Sequence, residues 1–130
     1  MKLHHVATWV DDLEKIKEYY ITYFGAVSNE LYVNKTTGFK SYFLSFPSGS
    51  QIEIMSRPDI PNNLNDTIEQ YKGYIHLAFE VNSCEEVDSM AKKLQAAGYP
   101  VLRGPRVTGD GYYEFETLDP ENNRLEVLFK

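Results

Sequence analysis

The sequence predicts an α+β fold of two βαβββ modules whose mixed sheet turns one face to a polar cavity. An internal repeat, alternating β-rich runs and two capped helix starts carry the modular part of that prediction. His5-Val6-Ala7-Thr8-Trp9-Val10 leads into an acidic helix start and a glycine stop at Gly25. His76-Leu77-Ala78-Phe79-Glu80-Val81 leads into a second such start and a stop at Gly98. Further on, residues 46–54, ending Gln51-Ile52-Glu53-Ile54, match residues 119–127, ending Arg124-Leu125-Glu126-Val127. The histidines stand 71 residues apart, and both the glycines and the glutamates 73 apart. A period of that length makes each repeat a supersecondary unit in its own right.

Each module reads as strand, helix, then several strands. The opening strands are 5–10 and 75–81, short runs rich in β-branched and aromatic residues. The first helix starts near Asp11 or Asp12 and places Leu13, Ile16 and Tyr20 on one face. Ser83, three residues before Glu86, has capping-box spacing and starts the second helix, whose apolar face is Val87, Met90 and Leu94. Gly98 supplies a left-handed stop. Strands are expected near 28–34, 38–46 and 51–56, and again near 100–103, 111–118 and 124–129. Turn signals at 35–38, 47–50 and 119–123 separate them. The chain is expected to be one domain, 1–130: module one about 1–57, a Pro- and Asn-containing linker about 58–73, and module two about 74–130.

Alternation along the strands divides the side chains into two faces. His5, Ala7 and Trp9 share one, as do His76, Ala78 and Glu80. Gln51, Glu53, Met55 and Arg57 oppose Ile52 and Ile54, and Arg124, Glu126 and Leu128 oppose Leu125, Val127 and Phe129. The apolar faces suit packing on helices, and the others bring together two His and two Glu at repeat-related positions. Antiparallel sheets commonly expose one wet face, so a single such residue carries little weight. Four in register point to a metal site of His5, Glu53, His76 and Glu126. His4 falls on the helix-packing side by the same alternation and is assigned no chemical role.

Composition excludes several classes. The 130 residues hold 13 basic and 19 acidic side chains, a net charge of −6, with 42% hydrophobic and 14% aromatic residues. That aromatic content argues against disorder, and no apolar run approaches the roughly 18–20 residues of a membrane span. Lys and Arg form no cluster suited to phosphates, so neither nucleic acid nor membrane is expected as a partner. Cys84 is the single cysteine, so any metal is held by His and carboxylates, and Cys84 is given no role. The start Met1-Lys2-Leu3-His4-His5 has no signal-peptide pattern, and the expected location is the cytoplasm.

Leu3-His4-His5-Val6, Val10-Asp11-Asp12-Leu13-Glu14, Gln51-Ile52-Glu53-Ile54, Ile75-His76-Leu77-Ala78 and the 119–127 stretch together resemble the glyoxalase/bleomycin-resistance/extradiol-dioxygenase (vicinal oxygen chelate) superfamily, in particular its single-domain glyoxalase I-like members. The resemblance spans both modules. It implies a curved sheet around a divalent metal, with ligands from the first and last strand of each module: His5, Glu53, His76 and Glu126. Fosfomycin thiol transferases and extradiol dioxygenases lack the first-module glutamate, and methylmalonyl-CoA epimerases usually carry Gln there. Glu53 therefore points to glyoxalase I-type chemistry, a metal-dependent lyase or isomerase acting on a small α-oxo or hemithioacetal-like substrate. Two imidazoles and two carboxylates suit zinc or nickel first, then cobalt, manganese or iron. By resemblance Glu126 is the catalytic base and Glu53 its near-symmetric counterpart, and the assembly is a homodimer whose metal sites in many family members draw on both chains. Alternatives are an epimerase of the same superfamily and a non-catalytic small-molecule binding or resistance protein.

The sequence departs from the glutathione-using members at two places. Trp9 stands where they carry an arginine for a glutathione carboxylate, and Arg57 where they carry an asparagine. Both changes fit an altered substrate pocket with a stacking surface and an anion clamp, while a solvated strand-end charge explains Arg57 equally well. Asn122 replaces a turn glycine and tolerates positive φ. Residues 104–113, with three glycines, Arg106 and two tyrosines, read either as a mobile wall over the substrate or as a hairpin loop with tyrosines packed on the sheet.

Overall fold

The computed structural model describes residues 1–64 and 66–130, and in it the chain forms two compact units, Met1–Asn63 and Leu64–Lys130. Their boundary falls inside the predicted linker, whose Asn65 lies outside the described residues.

The first unit opens with β1 (Val6–Trp9) and α1 (Leu13–Phe24). Asp12 caps the helix by accepting the Lys15 N–H at 3.0 Å, satisfying one of the donors that a helix start leaves open. Gly25, at φ 66°, ends it in the left-handed conformation, which costs a glycine least. Then come β2 (Val27–Ser28), β3 (Tyr32–Val33), β4 (Lys40–Ser45) and β5 (Gln51–Ser56). The sheet runs β1-β5-β4-β2, with β3 also on β4. The β1–β5 pair is parallel and the others antiparallel. Leu13, Ile16, Tyr19 and Tyr20 of α1 are buried together with Tyr42, Leu44, Ile52 and Ile54 of the sheet. Fully burying an aliphatic or aromatic side chain contributes about 1.5–3 kcal/mol, and Ile16, Leu44 and Ile54 are fully buried.

The second unit repeats the plan with β6 (His76–Glu80), α2 (Cys84–Ala96), β7 (Val101–Val107), β8 (Tyr113–Leu118) and β9 (Arg124–Phe129). Its sheet order is β6-β9-β8-β7, again with the first and last strands parallel. Ser83 accepts the Glu86 N–H at 3.2 Å, and Glu86 reaches back to the Asn82 N–H at 2.8 Å. The core is Val87, Ala91, Leu94, Phe115, Leu118, Leu125 and Val127. Two sheets of mixed strands, each with its helix, bear out the α+β reading of two βαβββ modules.

Three details differ from the sequence reading. The predicted strand at 28–34 is broken into β2 and β3, because the Asn29 side chain takes the Phe43 N–H at 2.8 Å, a bond that a continuing strand would make with its backbone. In α2 the buried residue is Ala91, with Met90 only half-buried. The predicted loop at 104–113 shrinks to 108–112, with 104–107 in β7 and Tyr113 in β8. β7 runs on to Val107 through two register shifts, and the remaining turn is closed by the Thr108 N–H to the Tyr112 carbonyl at 2.7 Å. Gly104 and Pro105, residue types common in turns, are absorbed by the irregular pairing of this strand.

This irregularity requires its glycine. Gly104 has φ +84°, and a Cβ there would lie 2.4 Å from the Glu114 carbonyl oxygen. Gly104→Ala is expected to destabilise the protein by about 1–3 kcal/mol, read by chemical denaturation. Gly109→Ala, which meets nothing within 4 Å, is the near-neutral control. Among the described residues no helix is long and apolar enough to cross a membrane.

Candidate metal centre

Parallel pairing of first and last strands creates one His–Glu pair per unit. In the first, Ala7 is the register partner of Glu53, and His5 lies two positions before that alanine. In the second, Ala78 faces Glu126, and His76 again lies two positions before it. The small alanine leaves room for the imidazole to lean towards the carboxylate. His5 Nε2 is 3.5 Å from Glu53 Oε2, and His76 Nε2 is 3.2 Å from Glu126 Oε2. The glutamate side chains are only 15% and 16% exposed, and the histidines about a third. Two atoms bound cis to one transition-metal ion at about 2.0–2.2 Å lie roughly 3 Å apart. The nitrogen–carboxylate pair in each unit therefore suits adjacent coordination positions, in donor type as well as spacing.

The two pairs have different surroundings. Around His5 they are aromatic and neutral. Phe43, the register partner of Glu53, sets its ring edge-on to the His5 imidazole at 5.1 Å. His4, exposed and one residue outside the predicted strand, places Nδ1 2.8 Å from His5 Nδ1. The helix-packing position predicted for His4 is thus corrected: β1 begins only at Val6, so alternation does not govern His4.

Around Glu126 they are charged. Its register partner is Glu116, and carboxylate oxygens of Glu114, Glu116 and Glu126 lie within 4.8 Å of one another. Burial pushes the Glu126 carboxyl above the usual carboxylate range; the charge of His76 opposes this, those of Glu114 and Glu116 add to it, and Arg106 opposes it. Glu116 is held by Arg124 at 2.6 Å and Arg103 at 3.5 Å, and Glu114 by Arg106 at 3.4 Å. Sequence reasoning missed this network, although the alternation Tyr113-Glu114-Phe115-Glu116 already puts both glutamates on one face.

The residues read as substrate contacts lie away from the first pair. Trp9 and Arg57 are each four residues along their strands from His5 and Glu53, roughly 13 Å away. Trp9 is 39% exposed and stacks edge-on against Phe39 at 6.0 Å. The Arg57 guanidinium lies 5.5 Å from the Trp9 ring centroid and bonds Asp59 at 2.5 Å, so part of its charge is answered within the chain. Arg106 lies on β7 in the second unit, against Glu114.

Residues 2–127 match the family described as the Glyoxalase/Bleomycin resistance protein/Dioxygenase superfamily. The uncharacterized protein YwkD of Bacillus subtilis is 31% identical over 96% of this chain and 94% of its own. The fosfomycin resistance protein FosX of Listeria monocytogenes is 25% identical, with a TM-score of 0.71 over 99% of this chain and 91% of its own; a FosX variant has been crystallised with Mn(II) and 1S,2S-dihydroxypropylphosphonic acid. The trypanothione-dependent glyoxalase I of Leishmania major, 17% identical, shares the fold with a TM-score of 0.79 over 99% of this chain and 86% of its own. With two βαβββ modules, a repeat-related His–Glu pair in each and a family match over nearly its whole length, the chain belongs to the glyoxalase/bleomycin resistance protein/dioxygenase superfamily.

Proposed function

We propose that the protein is a metal-dependent lyase or isomerase of glyoxalase I type, moving a proton next to the carbonyl of a small α-oxo or hemithioacetal-like substrate. The observation that carries this reading is the recurrence of one His Nε2–Glu Oε2 approach in each module, at 3.5 Å and 3.2 Å. The proposal takes 1–130 as one domain and His5, Glu53, His76 and Glu126 as its ligand residues for a divalent transition metal, zinc or nickel ahead of cobalt, manganese or iron. When bound, the metal polarises the substrate carbonyl and acidifies the neighbouring C–H. Glu126 is the base: its carboxylate accepts that proton and returns it to the adjacent carbon. Glu53 is its counterpart in the first module. Trp9 offers an exposed ring on which a substrate group stacks, and Arg57 and Arg106 attract an anionic one. A homodimer located in the cytoplasm belongs to the same proposal, the dimer to be checked by analytical ultracentrifugation.

Elemental analysis of protein purified without chelator tests the metal. About one divalent transition metal per chain is expected in the wild type, and none in a His5→Ala/His76→Ala variant. A wild-type protein that is metal-free and cannot be loaded would overturn the enzyme reading.

A further inference from the structure

We propose that His4 is a positioning residue for the metal, holding the His5 imidazole in the tautomer that leaves Nε2 free to bind; this rests on the metal reading above. The two Nδ1 atoms are 2.8 Å apart, and between neutral imidazoles that contact holds one hydrogen, so one ring donates and the other accepts. When His5 donates its Nδ1–H, its lone pair sits on Nε2, the atom facing Glu53 Oε2 at 3.5 Å. His4 accepts through Nδ1 and keeps its own proton on Nε2. Its exposure allows that N–H to stay hydrated, so the arrangement strands no buried donor.

Ring orientation is constrained from two sides. The His4 ring stands edge-on to His5 at 5.1 Å and 84°, and Phe43 edge-on to it at 5.1 Å and 85°. A ligand imidazole whose second nitrogen is held by an acceptor is fixed in tautomer and aim and gains basicity. The contact is available because His4 precedes β1: a residue inside the strand would point to the opposite face. In the second module the equivalent position, before His76, is Ile75, whose side chain accepts nothing. The repeat therefore supplies the substitution for a test, His4→Ile, with His4→Asn as the variant that retains an acceptor.

Zinc affinity is measured by competition with a chromophoric chelator, alongside proton–nitrogen NMR of the zinc-loaded histidines. His4→Ile is expected to bind zinc about 10–100-fold more weakly than wild type, with His4→Asn recovering most of the loss. In the loaded wild type, the His5 Nδ1–H resonance is expected downfield and slow to exchange. It should lose both properties in His4→Ile while the melting temperature stays unchanged. Wild-type zinc affinity in His4→Ile, in a protein whose His5→Ala variant no longer binds, would overturn the positioning role and leave the metal reading standing. A wild type that binds no metal would overturn both.

Discussion

A Glu126→Gln protein is expected to retain its metal and lose turnover by about 10²–10⁴-fold, the usual contribution of a positioned general base. Glutamine keeps a carbonyl oxygen for coordination and cannot take up a proton, so the substitution separates binding from proton transfer. The raised proton affinity of Glu126 has a structural origin. Its side chain is 16% exposed beside Glu114 and Glu116, and burial together with these neighbours raises its proton affinity. Glu53 has Phe43 as its register partner instead. Glu53→Gln is accordingly expected to cost less turnover than Glu126→Gln. The comparison is made by kcat on the best substrate from a screen of α-oxo aldehydes with thiols, with metal content measured on the same samples. Full turnover in metal-loaded Glu126→Gln would refute its role as base.

Arg124→Ala is expected to destabilise the second unit by about 3–5 kcal/mol. The Arg124 side chain is 10% exposed. One guanidinium nitrogen bonds Glu116, itself 8% exposed, at 2.6 Å, and another bonds the Thr67 carbonyl at 2.7 Å. Truncation leaves the Glu116 carboxylate buried with the more exposed Arg103 at 3.5 Å as its remaining cation, and close to two other carboxylates. A buried charge without its partner costs more than the intact pair contributes. An Arg124→Met/Glu116→Gln double variant removes the charge as well as its partner and should recover much of the loss. Urea denaturation of both proteins supplies the comparison, and a loss below about 1 kcal/mol in Arg124→Ala would place the pair in the class of exposed ion pairs.

Legibility in the sequence followed the kind of signal. Both helices could be read because Asp12 and Ser83 sit where capping chemistry requires them and Gly25 and Gly98 follow the last turn. The repeat revealed the two His–Glu pairs, since parallel pairing of first and last strands keeps equivalent positions equivalent. Contacts that cut across the repeat were not legible. Asn29 interrupts a strand through a side-chain bond to Phe43, fourteen residues away, and no local propensity announces that. Gly104 and Pro105 carry turn chemistry and sit in a strand, because a bulge uses the same conformations. Met90 and Ala91 lie one position apart on α2, and the apolar period alone does not decide between them. His4 was misplaced by extending the alternation of β1 past its first paired residue.

In each unit the two members of the His–Glu pair are separated by about fifty residues of chain, so their meeting carries the closure entropy of nearly the whole unit. Neither pair can form before the first strand of its unit meets the last. Helix and hairpins can form early from local contacts, while the pairing of first strand with last is the long-range event. Ion capture by these residues would accordingly mark the end of assembly: a chain still lacking its last strand offers isolated side chains with no chelate to form. Under the proposed ligand set, the first-to-last strand pairing would act as a checkpoint, reserving tight coordination for finished molecules.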